Sequence, residues 1–323
     1  MNDRPPAGRR VAQQGLHGEN MKLLAATIIA GTLATLSTSA MADEAGRLDK
    51  IKETGVITLG HPETSVPFAF LGPDQRPIGY SVEICEFIAA EIKTDLKLDK
   101  LEVRYNPTTS ATRIPLLSNG TIDLECGNTT NLVARHEFVS FAPTTFVSKV
   151  VLVARKDGGV DVNDPSSFRG KTIAGQAGGE DFRIVSRLNA FGNYGYTVTP
   201  TNDTAQTFMM VENGRAAAAV DDDGLAYSQV ALAKHPEDFV IGTRGLEVAP
   251  YGIMEPKDDP AFKKAVDDAV LKAIKTGKVQ ALYDKYFNSP IPPSNVNLKF
   301  PMSDVLKRAL ENPSDSGDPA MYK

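Results

Sequence analysis

Residues able to do chemistry concentrate between Thr109 and Arg135, which read TSATRIPLLSNGTIDLECGNTTNLVAR. The apolar positions Ile122 and Leu124 lead to Gly127, then to the polar side chains of Asn128, Thr129 and Thr130. Arg135 follows five residues after Thr130. The apolar run reads as a strand and the polar tip as the mouth of a cleft. Gly127 would let a ligand approach the backbone closely. The Thr hydroxyls and a guanidinium fork suit a carboxylate, which Arg can hold with two parallel hydrogen bonds. Spacing alone also allows a capped helix start with Arg135 on the surface.

Other chemistries find less support. With four His and no C-x-x-C, neither a metal site nor a redox motif is expected. The two cysteines, Cys85 and Cys126, fit either a disulfide or two buried thiols. The loop from Gly175 to Gly179 lacks the Gly-Lys-Ser/Thr of a phosphate-binding loop. A formal net charge of −5 argues against nucleic acid and anionic membranes. The absence of Trp argues against a broad aromatic sugar platform.

These candidates need elements to hold them. Strand and helix signals alternate, with no internal repeat and no low-complexity tract. Strands are expected at Val56 to Leu59, Leu101 to Tyr105 and Thr121 to Cys126. Helices are expected from Tyr80 through Ile92 and over Arg113 to Ser118. Phe146 to Ala154 is a β-rich run long enough to cross between two units. The pattern resets near Asp164. A strand at Thr172 to Ala174 then leads through the glycine loop to a helix from Glu180. Ala217 to Val220 is an apolar strand ending in Asp221-Asp222-Asp223. Long helices follow Asp259-Pro260 and Gly277. Such alternation implies two parallel-type α/β layers covered by helices on both faces.

The N-terminus reads as an export signal. Met21-Lys22, the apolar stretch Leu23 to Leu36 and Ala40-Met41-Ala42 predict a signal peptide over 21–42, cleaved after Ala42. Residues 1–20 read as an upstream extension or a long basic leader. The remaining 43–323 suffice for two ordinary domains.

Several stretches, in order, carry a resemblance: LDKIKETGVITLGH, SVPFAF, the GYS helix start, TRIPLLSNGTIDLECGNTTN and YFNSPIPP. Together they resemble periplasmic solute-binding proteins of amino-acid ABC transporters, and within them the glutamate/aspartate-binding group. The resemblance spans Leu48 to Met302. It implies a two-lobed type II periplasmic-binding-protein fold, in which two α/β lobes joined by two hinge strands close on a ligand. The expected organisation is a first lobe over 46–147, a second over 148–243, a return to the first over 244–300 and a tail over 301–323.

The resemblance also assigns roles. Arg135 and Thr130, with Thr129 and Gly127 beside them, fit the clamp on a ligand α-carboxylate. Asp222 fits the acceptor of the α-ammonium, against the alternative of a solvated acidic turn. Gly178 and Gly179 fall where a helix N-terminus would aim amide groups at the ligand. Ser110 and Arg113 match residues near the ligand side chain, though Arg113 also fits a helix-surface ion pair. The expected partners are a small amino acid and a membrane permease, with a monomeric protein, no cofactor and no nucleic acid. Departures are equally informative. Pro62 stands where an Arg is usual, Thr204 where a His is usual, Gly178-Gly179 where a Thr pair is usual, and Asn128 where a Ser is usual. These changes weaken the case for strict Glu or Asp selectivity. Two rival readings remain. One is an enzyme on the same fold, similar to a cyclohexadienyl dehydratase, drawing its acid or base from Glu63, Glu125 or Asp222 with His61 or His136 nearby. The other is a ligand-binding sensor.

Overall fold

The computed structural model describes residues 46–322, so the signal-peptide and upstream-extension expectations lie outside the described residues. Among the described residues fourteen strands, named in chain order, build two main sheets and a small third one. The first unit holds β1 (Val56–His61), β2 (Thr64–Ser65), β3 (Ala69–Leu71), β4 (Pro77–Ile78), β5 (Glu102–Pro107), β6 (Leu124–Glu125) and β7 (Val139–Phe141). The ten-residue β8 (Phe146–Arg155) leads out of it. Beyond lie β9 (Thr172–Gln176), β10 (Thr197–Thr201), β11 (Ala218–Asp222) and β12 (Phe239–Ile241), and β13 (Val248–Tyr251) leads back to β14 (Met254–Pro256).

The first sheet has the order β5-β1-β6-β14-β7, and the second the order β10-β9-β11-β8-β12; the small third one is formed by β2, β3 and β4. Both main sheets differ from the parallel layers expected. The strands β5, β1 and β6 are parallel, but β14 runs antiparallel to β6 and β7. Likewise β10, β9 and β11 are parallel, whereas β8 runs antiparallel to β11 and β12. The antiparallel members are the strands beside the crossings: a chain that leaves one lobe and returns must enter a sheet from its opposite end.

The hinge follows from β8 serving two partners. Its first residues pair with β13, Phe146 opposite Tyr251 and Lys149 opposite Val248. Its later residues, from Val150, pair with β11. An edge-to-face aromatic cluster packs the hinge base, with Phe68 4.8 Å from Phe146 and 5.2 Å from Tyr251, ring centre to ring centre.

Helices cover both sheets: α1 (Arg47–Thr54), α2 (Tyr80–Asp95), α3 (Arg113–Ser118), α4 (Glu180–Gly192), α5 (Thr204–Glu212), α6 (Asp223–Leu232), α7 (Pro260–Lys275), α8 (Lys278–Phe287) and α9 (Asp304–Glu311). In α2 the residues Cys85, Ile88, Ala89 and Ile92 recur at helical spacing and are buried. The α5 start is fixed by Asp203, whose carboxylate accepts from the Gln206 amide at 2.8 Å. Cys85 of α2 and Cys126, just past β6, form a disulfide, Cα to Cα 6.0 Å. This decides between the two states left open by the sequence, and it ties the outer helix to the segment that runs from β6 to Gly127. Among the described residues no helix is long and apolar enough to cross a membrane.

Candidate functional site

The parallel strands of both sheets point their carboxyl ends at one cleft. At the ends of the first-lobe pair, His61 stands opposite Pro107; in the second lobe Gln176 stands opposite Thr201. Ligands in open α/β sheets bind at such strand ends. A cavity of about 80 Å³ lies there, bounded by Thr64, Thr108, Ser110 and Arg113 on one side and by Gln176 and Asn202 on the other.

The lobes touch across it. The Ser110 hydroxyl donates to Gln176 Oε1 at 3.2 Å, and Gln176 Nε2 donates to Thr204 Oγ1 at 2.7 Å. Ser65 and Thr204 hydroxyls lie 3.5 Å apart. The seam is tight at Gly178, where φ is +80° and a Cβ would sit 2.9 Å from Ala111 Cα and 3.0 Å from its nitrogen. Only glycine fits both that left-handed backbone and that approach.

The first-lobe wall carries two buried guanidinium groups. Arg113 opens α3 and is 5% exposed; its Nε has no hydrogen-bond partner. Arg135 sits on a short 3-10 helix, Val133–Glu137, and is 6% exposed. Burial therefore removes the surface alternative for both. Arg135 donates to the Thr130 carbonyl at 2.5 Å. Its desolvation, reinforced by the charge of Arg113, lowers its pKa to about 9. Behind them lies Glu125, fully buried on β6, whose Oε2 accepts from the Thr129 hydroxyl and whose Oε1 has no partner. Burial raises the pKa of Glu125, against the pull of Arg113 and the Thr129 bond.

The second-lobe wall is acidic. Asp222 ends β11; its Oδ2 accepts from the Tyr251 hydroxyl, and its Oδ1 has no partner. Burial, then the nearby Asp181 charge, pushes Asp222 up to about 8. Asp181, in the first turn of α4, is also raised by burial, with Arg113 and Arg135 pulling the other way. Asp221 is raised by burial and by both acidic neighbours. Buried cations in one lobe thus face buried anions in the other. Their unpartnered atoms have the polarity of a zwitterion read in reverse.

The predicted residues fall into distinct positions. Ser110 and Arg113 reach the cavity itself. Arg135 and Asp222 do not line that cavity; they are buried in the first and second lobe respectively, and the Thr130 carbonyl anchors Arg135. Gly127 leaves room for Glu125 and Pro62, because a Cβ there would meet Glu125 Oε1 at 2.5 Å and Pro62 Cδ at 2.9 Å. Three expectations change. The Thr129 hydroxyl is engaged by Glu125 rather than turned to the cleft. The Gly179 amide donates to the Gln176 carbonyl at 3.0 Å, so it is not aimed at a ligand. Thr204 is fully buried behind Gln176 and acts on the cleft through it.

Residues 57–289 match the family model of bacterial extracellular solute-binding proteins, family 3. The chain is a member of that family. The L-glutamate/L-aspartate-binding protein of Pseudomonas aeruginosa is 42% identical over 295 residues, which cover 91% of this chain and 96% of that one. The glutamate/aspartate import solute-binding protein of Escherichia coli K12 is 36% identical, covering 88% and 95%. A mutant of ArgBP from T. maritima superposes with a TM-score of 0.67 at 26% identity, covering 75% of this chain and 99% of that one. These relatives are binding proteins and not enzymes.

Four residues of this solute-binding protein escaped the sequence reading as ligand-site candidates. Gln176 lies within the glycine loop and Asp181 just past it, and neither stands out by type. Glu125 enters the sequence reading only as a candidate acid for catalysis. Tyr251 belongs to a strand that Pro250 disguises, since proline disfavours a strand interior.

Proposed function

We propose that this solute-binding protein captures an L-amino acid with a polar or acidic side chain and delivers it to an ABC importer. The observation that carries the reading is the opposed pair of buried walls: Arg113 and Arg135 on one lobe, Asp181 and Asp222 on the other. The relatives' names support the same class of ligand. Arg135 takes the α-carboxylate through its guanidinium, a group suited to two parallel hydrogen bonds with a carboxylate. Asp222 takes the α-ammonium through Oδ1, while Tyr251 holds Oδ2.

A ligand so held bridges the lobes. It makes contacts in the closed form that the open form cannot offer, and this difference in contact drives closure. Tyr251 lies on hinge strand β13 and bonds an acid of the second lobe, so the ammonium site is tied directly to the hinge. The closed protein then docks on a membrane permease. Its working place is the periplasm, after loss of the signal peptide, where it acts as a monomer with neither cofactor nor nucleic acid. Isothermal calorimetry on the cleaved protein tests this: a single L-amino acid should bind one to one, and Arg135→Ala should abolish the heat. Full binding by a folded Arg135→Ala variant would refute the clamp.

A further inference from the structure

We propose that the side-chain subsite selects a neutral amide, as in glutamine or asparagine, over a side-chain carboxylate. This rests on the amino-acid-binding reading above, in which Arg135 and Asp222 are occupied by the backbone groups of the ligand. What remains for the side chain is the cavity of about 80 Å³.

Its charges do not favour an anion. Arg113 is its one cationic wall residue, whereas Glu63, Glu125 and Asp203 also border it. Glu125 is the member that matters, because it is buried, as Arg113 is, and the two charges act on each other. A ligand carboxylate drawn to Arg113 would therefore be set against a second buried carboxylate. Pro62, on the same wall, contributes no donor and no charge.

The unpartnered atoms describe the preferred group more closely. Arg113 Nε is a donor without an acceptor, and Glu125 Oε1 is an acceptor without a donor. Thr64 and Thr108 each add a buried hydroxyl oxygen without a partner. A primary amide answers both needs at once, its carbonyl accepting from Arg113 and its NH₂ donating to Glu125. An ionised carboxylate only accepts. It would leave Glu125 without a donor and bring a like charge beside it. Sites with buried polar groups of fixed sense reject ligands that cannot pair with them. Beside Glu63 and Asp203 the remaining wall carries the amides of Asn128 and Asn202, none of them cationic, and so does not favour an anion.

The test is calorimetric titration of the cleaved protein with glutamine, asparagine, glutamate and aspartate at pH 7.5 and one ionic strength. The better amide should bind at least tenfold more tightly than either acid. A smaller or reversed preference overturns the amide assignment while leaving the amino-acid reading intact. Binding of none of the four, nor of any other amino acid, overturns that reading itself and the assignment with it. Glu125→Gln supplies a second arm. In the folded variant the amide-over-acid ratio should fall at least fivefold, because the opposing charge is gone; an unchanged ratio would contradict the role given to Glu125.

Discussion

Replacing Asp222 by Asn should move binding and stability in opposite directions. For binding, the loss leaves an ammonium without its counter-charge in a desolvated cleft, which costs roughly 2–5 kcal/mol. For stability, the sign comes from the shifted acid. Asp222 is raised from 3.8 to about 8 in the folded protein. A group whose folded pKa is raised contributes fully below its unfolded pKa and loses that contribution as pH climbs toward the folded value. Between pH 4 and pH 7 this amounts to about 4 kcal/mol at most, since each pKa unit is worth about 1.4 kcal/mol. Opening of the cleft hydrates the carboxylate and recovers part of it. Asn does not titrate, and its carbonyl can still accept from Tyr251. The ligand-free variant should therefore be about 1–3 kcal/mol more stable than the parent at pH 7.5, with the gain vanishing below pH 4. Urea unfolding at several pH values and calorimetry with an amino acid and its des-amino analogue provide the readings. Equal affinity losses for both ligands, or a less stable variant at pH 7.5, would refute the reasoning.

Arg135→Ala should lose amino-acid binding beyond detection while retaining the parent's circular dichroism; retained affinity within threefold would sink the clamp. Gly178→Ala should weaken ligand binding at least tenfold by holding the lobes apart, since the added Cβ meets Ala111 Cα at 2.9 Å; small-angle scattering with saturating ligand should show a more open molecule, and parent-like compaction would contradict it. Removing the Cys85–Cys126 bridge by double substitution to Ser should cost roughly 2–4 kcal/mol, given the span between the two cysteines; denaturation in urea measures it, and no change would show that the bridge constrains nothing. Pro62→Arg should raise the glutamate-to-glutamine affinity ratio several-fold by adding a cation at the subsite; an unchanged ratio in the folded variant would mean that position 62 does not reach the side chain.

Much of this architecture was legible because local pattern and burial agree. The α2 face of Cys85, Ile88 and Ile92, the capped starts of α5 and α7, and the apolar β11 ending in Asp222 all follow ordinary periodicity and capping. What escaped depends on distant pairing. No local signal says that β14 and β8 run antiparallel to their neighbours, because that is fixed by where the chain crosses between sheets. The expected strand from Thr121 to Cys126 shrinks to Leu124–Glu125, since its pairing with β1 is that short. Gln176 gained its place only when Ser110, far away in sequence, came within 3.2 Å of it. Thr129 departs from expectation for a similar reason: a hydroxyl beside a buried acid turns to that acid first.

The most direct test of the central claim, that opposed buried charges hold an amino-acid zwitterion, is a thermal-shift screen of the twenty L-amino acids against the cleaved protein. A ligand at 100 times its dissociation constant adds about 2.7 kcal/mol to stability. At least one polar amino acid, glutamine or asparagine foremost, should raise the melting temperature by several degrees at millimolar concentration, and the same shift should be absent in Arg135→Ala. No shift with any of the twenty, in protein that is folded and cleaved, would contradict the account.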